Sequence, residues 1–133
     1  REIVMAAVSQ NGNALQFACR EFKSDREIVM AAINQVGDES PYGVGGWGGG
    51  YALEFAGKEL MYDIEIIFAS FESNPKALKW LHLHDKFEIN ETIIRELRKK
   101  YGEKEIKKHL SVDKRDLRYD SYNSKELKKM MKR

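Results

Sequence analysis

Arg1-Glu2-Ile3-Val4-Met5-Ala6-Ala7 occurs again, letter for letter, as Arg26-Glu27-Ile28-Val29-Met30-Ala31-Ala32. An exact seven-residue repeat at an offset of 25 residues marks a repeated structural unit, so the architecture is read from it first. The first unit is residues 1–25. The second is residues 26–63, interrupted by a 13-residue insertion, Gly37–Gly49. With the insertion set aside, Gly12, Ala14, Leu15, Phe17, Ala18, Glu21 and Asp25 recur as Gly50, Ala52, Leu53, Phe55, Ala56, Glu59 and Asp63. In all, 15 of 25 positions match, which makes the phasing firm. A more divergent third unit, 64–88, places Glu65, Ile66, Ala69 and Asn74 on Glu2, Ile3, Ala6 and Asn11, with Trp80 in the place of Phe17 and Phe55. A degenerate fourth unit occupies 90–102.

Each unit reads as two short helices. Asp25 and Asp63 stand immediately before units two and three, where a carboxylate accepts from the first free backbone N–H groups of a helix. Ile28, Val29, Ala32 and Ile33 then recur at helical spacing with no strand alternation. Asn11-Gly12 ends the first helix, Gly12 supplying a left-handed cap, and a second helix buries Ala14, Leu15, Ala18 and Phe22 with Phe17 beside them. One such hairpin cannot bury its own apolar face, so neighbours must stack. In the fourth unit Asn90 caps a helix through Ile93, Ile94 and Leu97 that ends at Tyr101-Gly102. Ile106 with Leu110, and Leu127 with Met130 and Met131 behind a Ser124 cap, give two further helices joined by the polar Ser111–Asn123. The expected fold is therefore all-α: a short α-solenoid of stacked two-helix hairpins over 1–102, closed by a basic helical cap over 103–133.

Repeats reading Asp-x-Glu-Ile-Val-x-Ala-Ala-Val and then Asn-Gly-x-Ala-Leu-x-Phe-Ala resemble a family of short helical repeats known only as a domain of unknown function. Residues 1–36 and 50–63 carry the pattern closely and 64–85 loosely, while 37–49 and 103–133 do not carry it. The resemblance implies an intracellular array used for interaction, and it transfers no catalytic residues.

Charge divides the chain. Residues 1–85 hold 7 Lys/Arg against 12 Asp/Glu, a net of −5, and residues 86–133 hold 16 against 9, a net of +7. No apolar run approaches the ~18 residues of a membrane span, so no membrane partner is expected. A single cysteine, Cys19, fits a reducing, cytoplasmic setting. The chain opens on Arg1 inside the motif and without an initiator Met, so a longer parent polypeptide is expected.

The chemistry-bearing candidates are few. The insertion contains G-x-G-x-x-G at Gly43, Gly45 and Gly48, but that motif cradles phosphate between a strand and a helix, and here it interrupts a hairpin. A loop outside the helical core is expected instead, on which Tyr42 and Trp47 are candidate partner-contacting aromatics. His82 and His84 lie two apart on a helix, pointing to nearly opposite sides, so no metal site is expected and His82 reads as a helix-end or surface residue. Trp80 reads as core. No nucleophile, acid–base pair or cofactor motif emerges, so the expected role is a non-enzymatic scaffold that binds another protein. The alternative is nucleic-acid binding through the basic C-terminal part, with Lys104, Lys107 and Lys108 as candidate contacts.

Overall fold

The computed structural model describes residues 1–34, 49–83, 86–112 and 122–132, and these carry α- and 3₁₀-helices and no strand. They divide into two compact units, Arg1–Ala77 and Leu78–Arg133, and the third sequence repeat spans the boundary.

In the first unit, α1 (Glu2–Gln10) leads into a 3₁₀ helix η1 (Gly12–Phe17) and a single turn α2 (Arg20–Lys23). The second repeat copies this as α3 (Arg26–Asn34), η2 (Gly49–Phe55) and α4 (Lys58–Met61), and the third opens with α5 (Ile64–Ser73). The second half of a repeat is thus not the continuous helix its apolar spacing suggested. Ala18 (ψ 154°) and Cys19 (ψ 164°) are extended and break it in two. Gly49, counted with the insertion, already belongs to η2.

The caps are local chemistry and fall where expected. Asp25 Oδ1 accepts from the N–H groups of Glu27 (3.0 Å) and Ile28 (3.2 Å), and Asp63 Oδ1 from those of Glu65 (3.0 Å) and Ile66 (3.4 Å). The end of α1 differs from the left-handed glycine stop. Asn11 is extended (φ −149°), its N–H donates to the Ala7 carbonyl, and its side chain caps η1 by accepting from Asn13. Asn74 repeats this (φ −150°), donating to the Ser70 carbonyl and accepting from Lys76. An asparagine that serves two helices leaves Gly12 no need for a positive φ.

Packing runs from repeat to repeat. Helix α3 packs on α1 and α5, η2 packs on η1, and α3 and α5 pack on the 3₁₀ helix of the preceding repeat. Ile28, Val29, Ala32 and Ile33 are all fully buried, as are Leu15, Leu53, Ile66 and Ile67. Each large side chain so buried contributes about 1.5–3 kcal/mol. The repeats also meet backbone to backbone: the Gly57 N–H donates to the Lys23 carbonyl at 2.9 Å. A Cβ on Gly57 would stand 2.6 Å from Ser24 Oγ, so a side chain there requires that hydroxyl to move.

The second unit contains α6 (Ala77–Leu83) from Leu78 on, then α7 (Glu91–Tyr101), α8 (Glu103–Leu110) and α9 (Tyr122–Met131). Asn90 caps α7 through the Ile93 N–H at 2.9 Å, and Gly102 (φ 91°) turns the chain directly into α8. The inward faces are Ile93, Ile94 and Leu97 on α7, Ile106 and Leu110 on α8, and Leu127, Met130 and Met131 on α9, all buried. Helix α9 begins two residues ahead of Ser124, which lies buried inside it and is not its cap.

Candidate functional site

The basis of the site is an arginine at the first position of each of the first two repeats. Arg1 Nε donates to Asp25 Oδ2 at 3.0 Å and its Nη2 to Glu27 Oε2 at 2.5 Å. Arg26 does the same one repeat later, Nη1 to Asp63 Oδ2 at 2.9 Å and Nη2 to Glu65 Oε2 at 2.6 Å. Each guanidinium therefore reaches forward to both acidic residues at the next helix start. The fork geometry suits two acceptors at once. Asp25 and Asp63 each hold an arginine through Oδ2, at 3.0 and 2.9 Å, while Oδ1 caps the helix and also accepts from the arginine Nη2, at 3.3 and 3.4 Å. Both carboxyls are held below their ordinary range, first by the arginine hydrogen bond and further by the backbone N–H groups. Ile64 stands at the arginine position of the third repeat, so no rung starts there.

Sequence reasoning had the aspartates as caps and missed the rungs. The signal was available in Arg1 and Arg26, which are identical in the two copies and adjacent to identical acidic residues.

The second feature is a contrast between equivalent positions. Ile28 and Ile66 are fully buried, whereas Ile3, at the same repeat position, is 85% exposed. Ala32 and Ser70 are fully buried, whereas Ala7 is exposed. Phe17 is 84% exposed and its equivalent Phe55 only half-buried. The expected burial of Phe17 beside the second-helix face is corrected: it faces solvent. Helices α3 and α5 each have a repeat packed in front of them, while α1 packs on η1 and α3 only from behind.

Of the other candidates, Lys104, Lys107 and Lys108 lie exposed on the outer face of α8, opposite buried Ile106 and Leu110. Lys107 pairs with Glu103 at 3.4 Å. Tyr42, Trp47 and most of the insertion lie outside the described residues, as does His84. His82 is not on the surface: it is 2% exposed, its Nδ1 accepts from the Ile89 N–H at 2.9 Å, and its carbonyl accepts from Asn123 at 2.9 Å. It ties the end of α6 to the start of α7 and to α9 as a structural acceptor. Trp80 is half-buried. A cavity of about 230 Å³ between α7 and α9 is lined by Glu91, Ile94, Arg95, Arg98 and Met130. Among the described residues, two guanidinium nitrogens of Arg98, Nε and Nη2, are buried without a hydrogen-bond partner. Among the described residues no three His, Cys, Asp or Glu side chains converge on a metal position, and no helix is long and apolar enough to cross a membrane.

A family model described as a domain of unknown function (DUF4116) matches residues 1–42. That span covers the first repeat and the opening of the second, under a third of the chain. No curated protein and no solved structure matches it.

Proposed function

We propose that the chain is a non-enzymatic helical-repeat scaffold, a short α-solenoid that binds another protein through the surface of its stacked units. One observation carries this reading. The contacts that join one repeat to the next recur between equivalent residues, Arg1 to Asp25 and Glu27, Arg26 to Asp63 and Glu65. Sequence conserved within the chain is therefore spent on stacking. Stacks of this kind expose extended surfaces, and association is the usual use of such surfaces. In this reading α7 to α9 form the basic cap of the third repeat, with Asn123 bonded to the His82 carbonyl and the apolar face of α9 turned inward. The exposed, unpaired thiol of Cys19 fits an intracellular setting.

A second reading is favoured by a specific observation: Lys104, Lys107 and Lys108 are exposed together on α8. These suit a phosphate backbone. The two readings separate in one titration. Affinity for a mixed-sequence single-stranded DNA or RNA, measured across salt, is expected to be weak and non-saturating. A tight complex with a log–log salt slope counting several phosphates, abolished by Lys104→Glu, Lys107→Glu and Lys108→Glu together, overturns the scaffold in favour of nucleic-acid binding.

A further inference from the structure

The first unit shows how an arginine of this chain holds a carboxylate. Arg1 takes Asp25 along one edge of its guanidinium, Nε to Oδ2 at 3.0 Å and Nη2 to Oδ1 at 3.3 Å. Arg98 has the same edge in different surroundings. Its Nε and Nη2 are buried, and among the described residues neither has a hydrogen-bond partner. The N–H groups of that edge lie parallel and match the two oxygens of one anion. Donors of a charged group buried without an acceptor are costly, and a native chain that keeps them has a use for them. Glu91, Ile94, Arg95 and Arg98 recur at i, i+3, i+4 and i+7, which is one face of α7. With Met130 of α9 they line the cavity of about 230 Å³, inside the Leu78–Arg133 unit.

We propose that this cavity binds a singly charged carboxylate carrying an apolar body, with the carboxylate on the Nε–Nη2 edge of Arg98 and the body against Ile94 and Met130. The lining has two arginines against one glutamate, a net charge of +1, which suits one negative charge. A phosphate dianion exceeds that charge, is repelled by Glu91 and leaves Ile94 and Met130 without an apolar partner. Water accepts from these N–H groups one at a time, whereas a carboxylate takes both and brings the opposite charge. The volume lies below the ~300–1,000 Å³ of pockets for drug-sized ligands, so the ligand is small. A free short-chain organic acid and the C-terminal residue of a peptide share this chemistry. The site adds a ligand to the scaffold reading and does not depend on it.

The test titrates hexanoate into the full chain and follows the Arg98 Nε–H and the Ile94 methyl groups by heteronuclear NMR. Both signals are expected to shift saturably, with a dissociation constant in the millimolar range or below, since about eight non-hydrogen atoms make few contacts. Hexanamide keeps the body without the charge, and inorganic phosphate keeps the charge without the body. Each is expected to bind at least about tenfold more weakly than hexanoate. N-acetylleucine separates the sources: tighter binding than hexanoate assigns the site to a peptide C-terminus, weaker binding to a free acid. Arg98→Lys keeps the charge and loses the fork, and is expected to weaken hexanoate about tenfold, read from the Ile94 methyl groups. Arg98→Met is expected to abolish binding and to melt no lower than the parent, because it removes buried donors that have no partner. The proposal is overturned by the lack of a saturable shift through the millimolar range, or by hexanamide or phosphate binding as well as hexanoate. Undiminished binding in Arg98→Met overturns it too. A marked loss of stability in Arg98→Met, with Arg98→Lys binding like the parent, assigns Arg98 to packing and also overturns it.

Discussion

The guanidinium of Arg26 donates to the carboxylate of Asp63 across 37 residues of chain, at 2.9 Å, and the same carboxylate caps α5. One side chain thus starts a helix and joins it to the repeat before. Arg1 and Asp25 copy the arrangement. Coupling a local cap to a non-local pair means that the helix start is best formed when its neighbour is in place, which is how a repeat too small to fold alone gains from stacking.

Asp63→Ala removes both roles, and Asp63→Asn removes the arginine's anionic partner while keeping a side chain that caps well. The cap is the larger contribution, about 1 kcal/mol, and the partly exposed pair adds about 0–1 kcal/mol. Denaturant unfolding is expected to show Asp63→Ala clearly destabilised and Asp63→Asn close to the parent. Equal losses in the two variants would mean that the charge pair, and not the cap, sets the contribution of Asp63.

The rungs also set an acid response. The carboxyls of Asp25 and Asp63 titrate below the ordinary value of 3.8 in the folded chain, so on acidification the unfolded chain takes up these protons first. Their stabilisation is complete above the unfolded value and is lost as pH falls through the lowered folded values. Unfolding midpoints are expected to decline from about pH 4 downwards. In the Arg1→Gln, Arg26→Gln variant the decline over that window is expected to be shallower, since the arginine hydrogen bond is the first cause of both shifts. Parallel declines would assign the acid response to other carboxylates.

Gly57 has φ −58°, which any residue adopts, so the cost of a side chain there is space alone. Its Cβ would meet Ser24 Oγ at 2.6 Å, while Ser24 Cβ and the Lys23 carbonyl at 3.5 Å are ordinary contacts. Gly57→Ala is expected to lose about 1 kcal/mol, at the low end for overpacking, because a hydroxyl can turn away. Adding Ser24→Ala removes the obstructing oxygen and should restore most of the loss. Additive effects in this double-mutant cycle would show that the approach of α4 to the end of α2 is not what Gly57 serves.

What the sequence made legible was the local chemistry. The caps at Asp25, Asp63 and Asn90, the stop at Gly102 and the buried set of α3 all depend on residues within a few positions of one another. The continuous second helix failed because Ala14, Leu15, Ala18 and Phe22 have helical spacing, and nothing local marks Ala18 and Cys19 as extended. Their conformation belongs with contacts between repeats, such as Gly57 to Lys23. Exposure of Ile3 and Phe17 was illegible for the same reason. Identical letters are buried at Ile28 and open at Ile3, so burial at these positions is decided by the neighbour and not by the motif. His82 was read as a helix-end or surface residue; it is at the end of α6 but buried, because its partner, the Ile89 N–H, lies beyond the end of its helix. Candidate contacts Lys104, Lys107 and Lys108 are exposed on α8, and what they meet is a matter for the titration.

The two faces of α9 give the last prediction. Leu127 is fully buried, with Met130 and Met131 beside it at helical spacing, while Lys128 and Lys129 are exposed. If α9 is an integral part of the Leu78–Arg133 unit, its apolar stripe and not its charge anchors it. Leu127→Ala deletes buried methyl groups and leaves a cavity, for an expected loss of about 2–5 kcal/mol. Lys128→Ala with Lys129→Ala is expected to stay within about 0.5 kcal/mol of the parent, as surface changes do. The measurement is hydrogen exchange of the α7 and α8 amides alongside global unfolding. Leu127→Ala should raise exchange across Ile93–Leu97 and Ile106–Leu110, since these helices share one core with α9. Unchanged protection there, with only the amides of α9 released, would show that α9 frays independently and that α7 and α8 are stable without it.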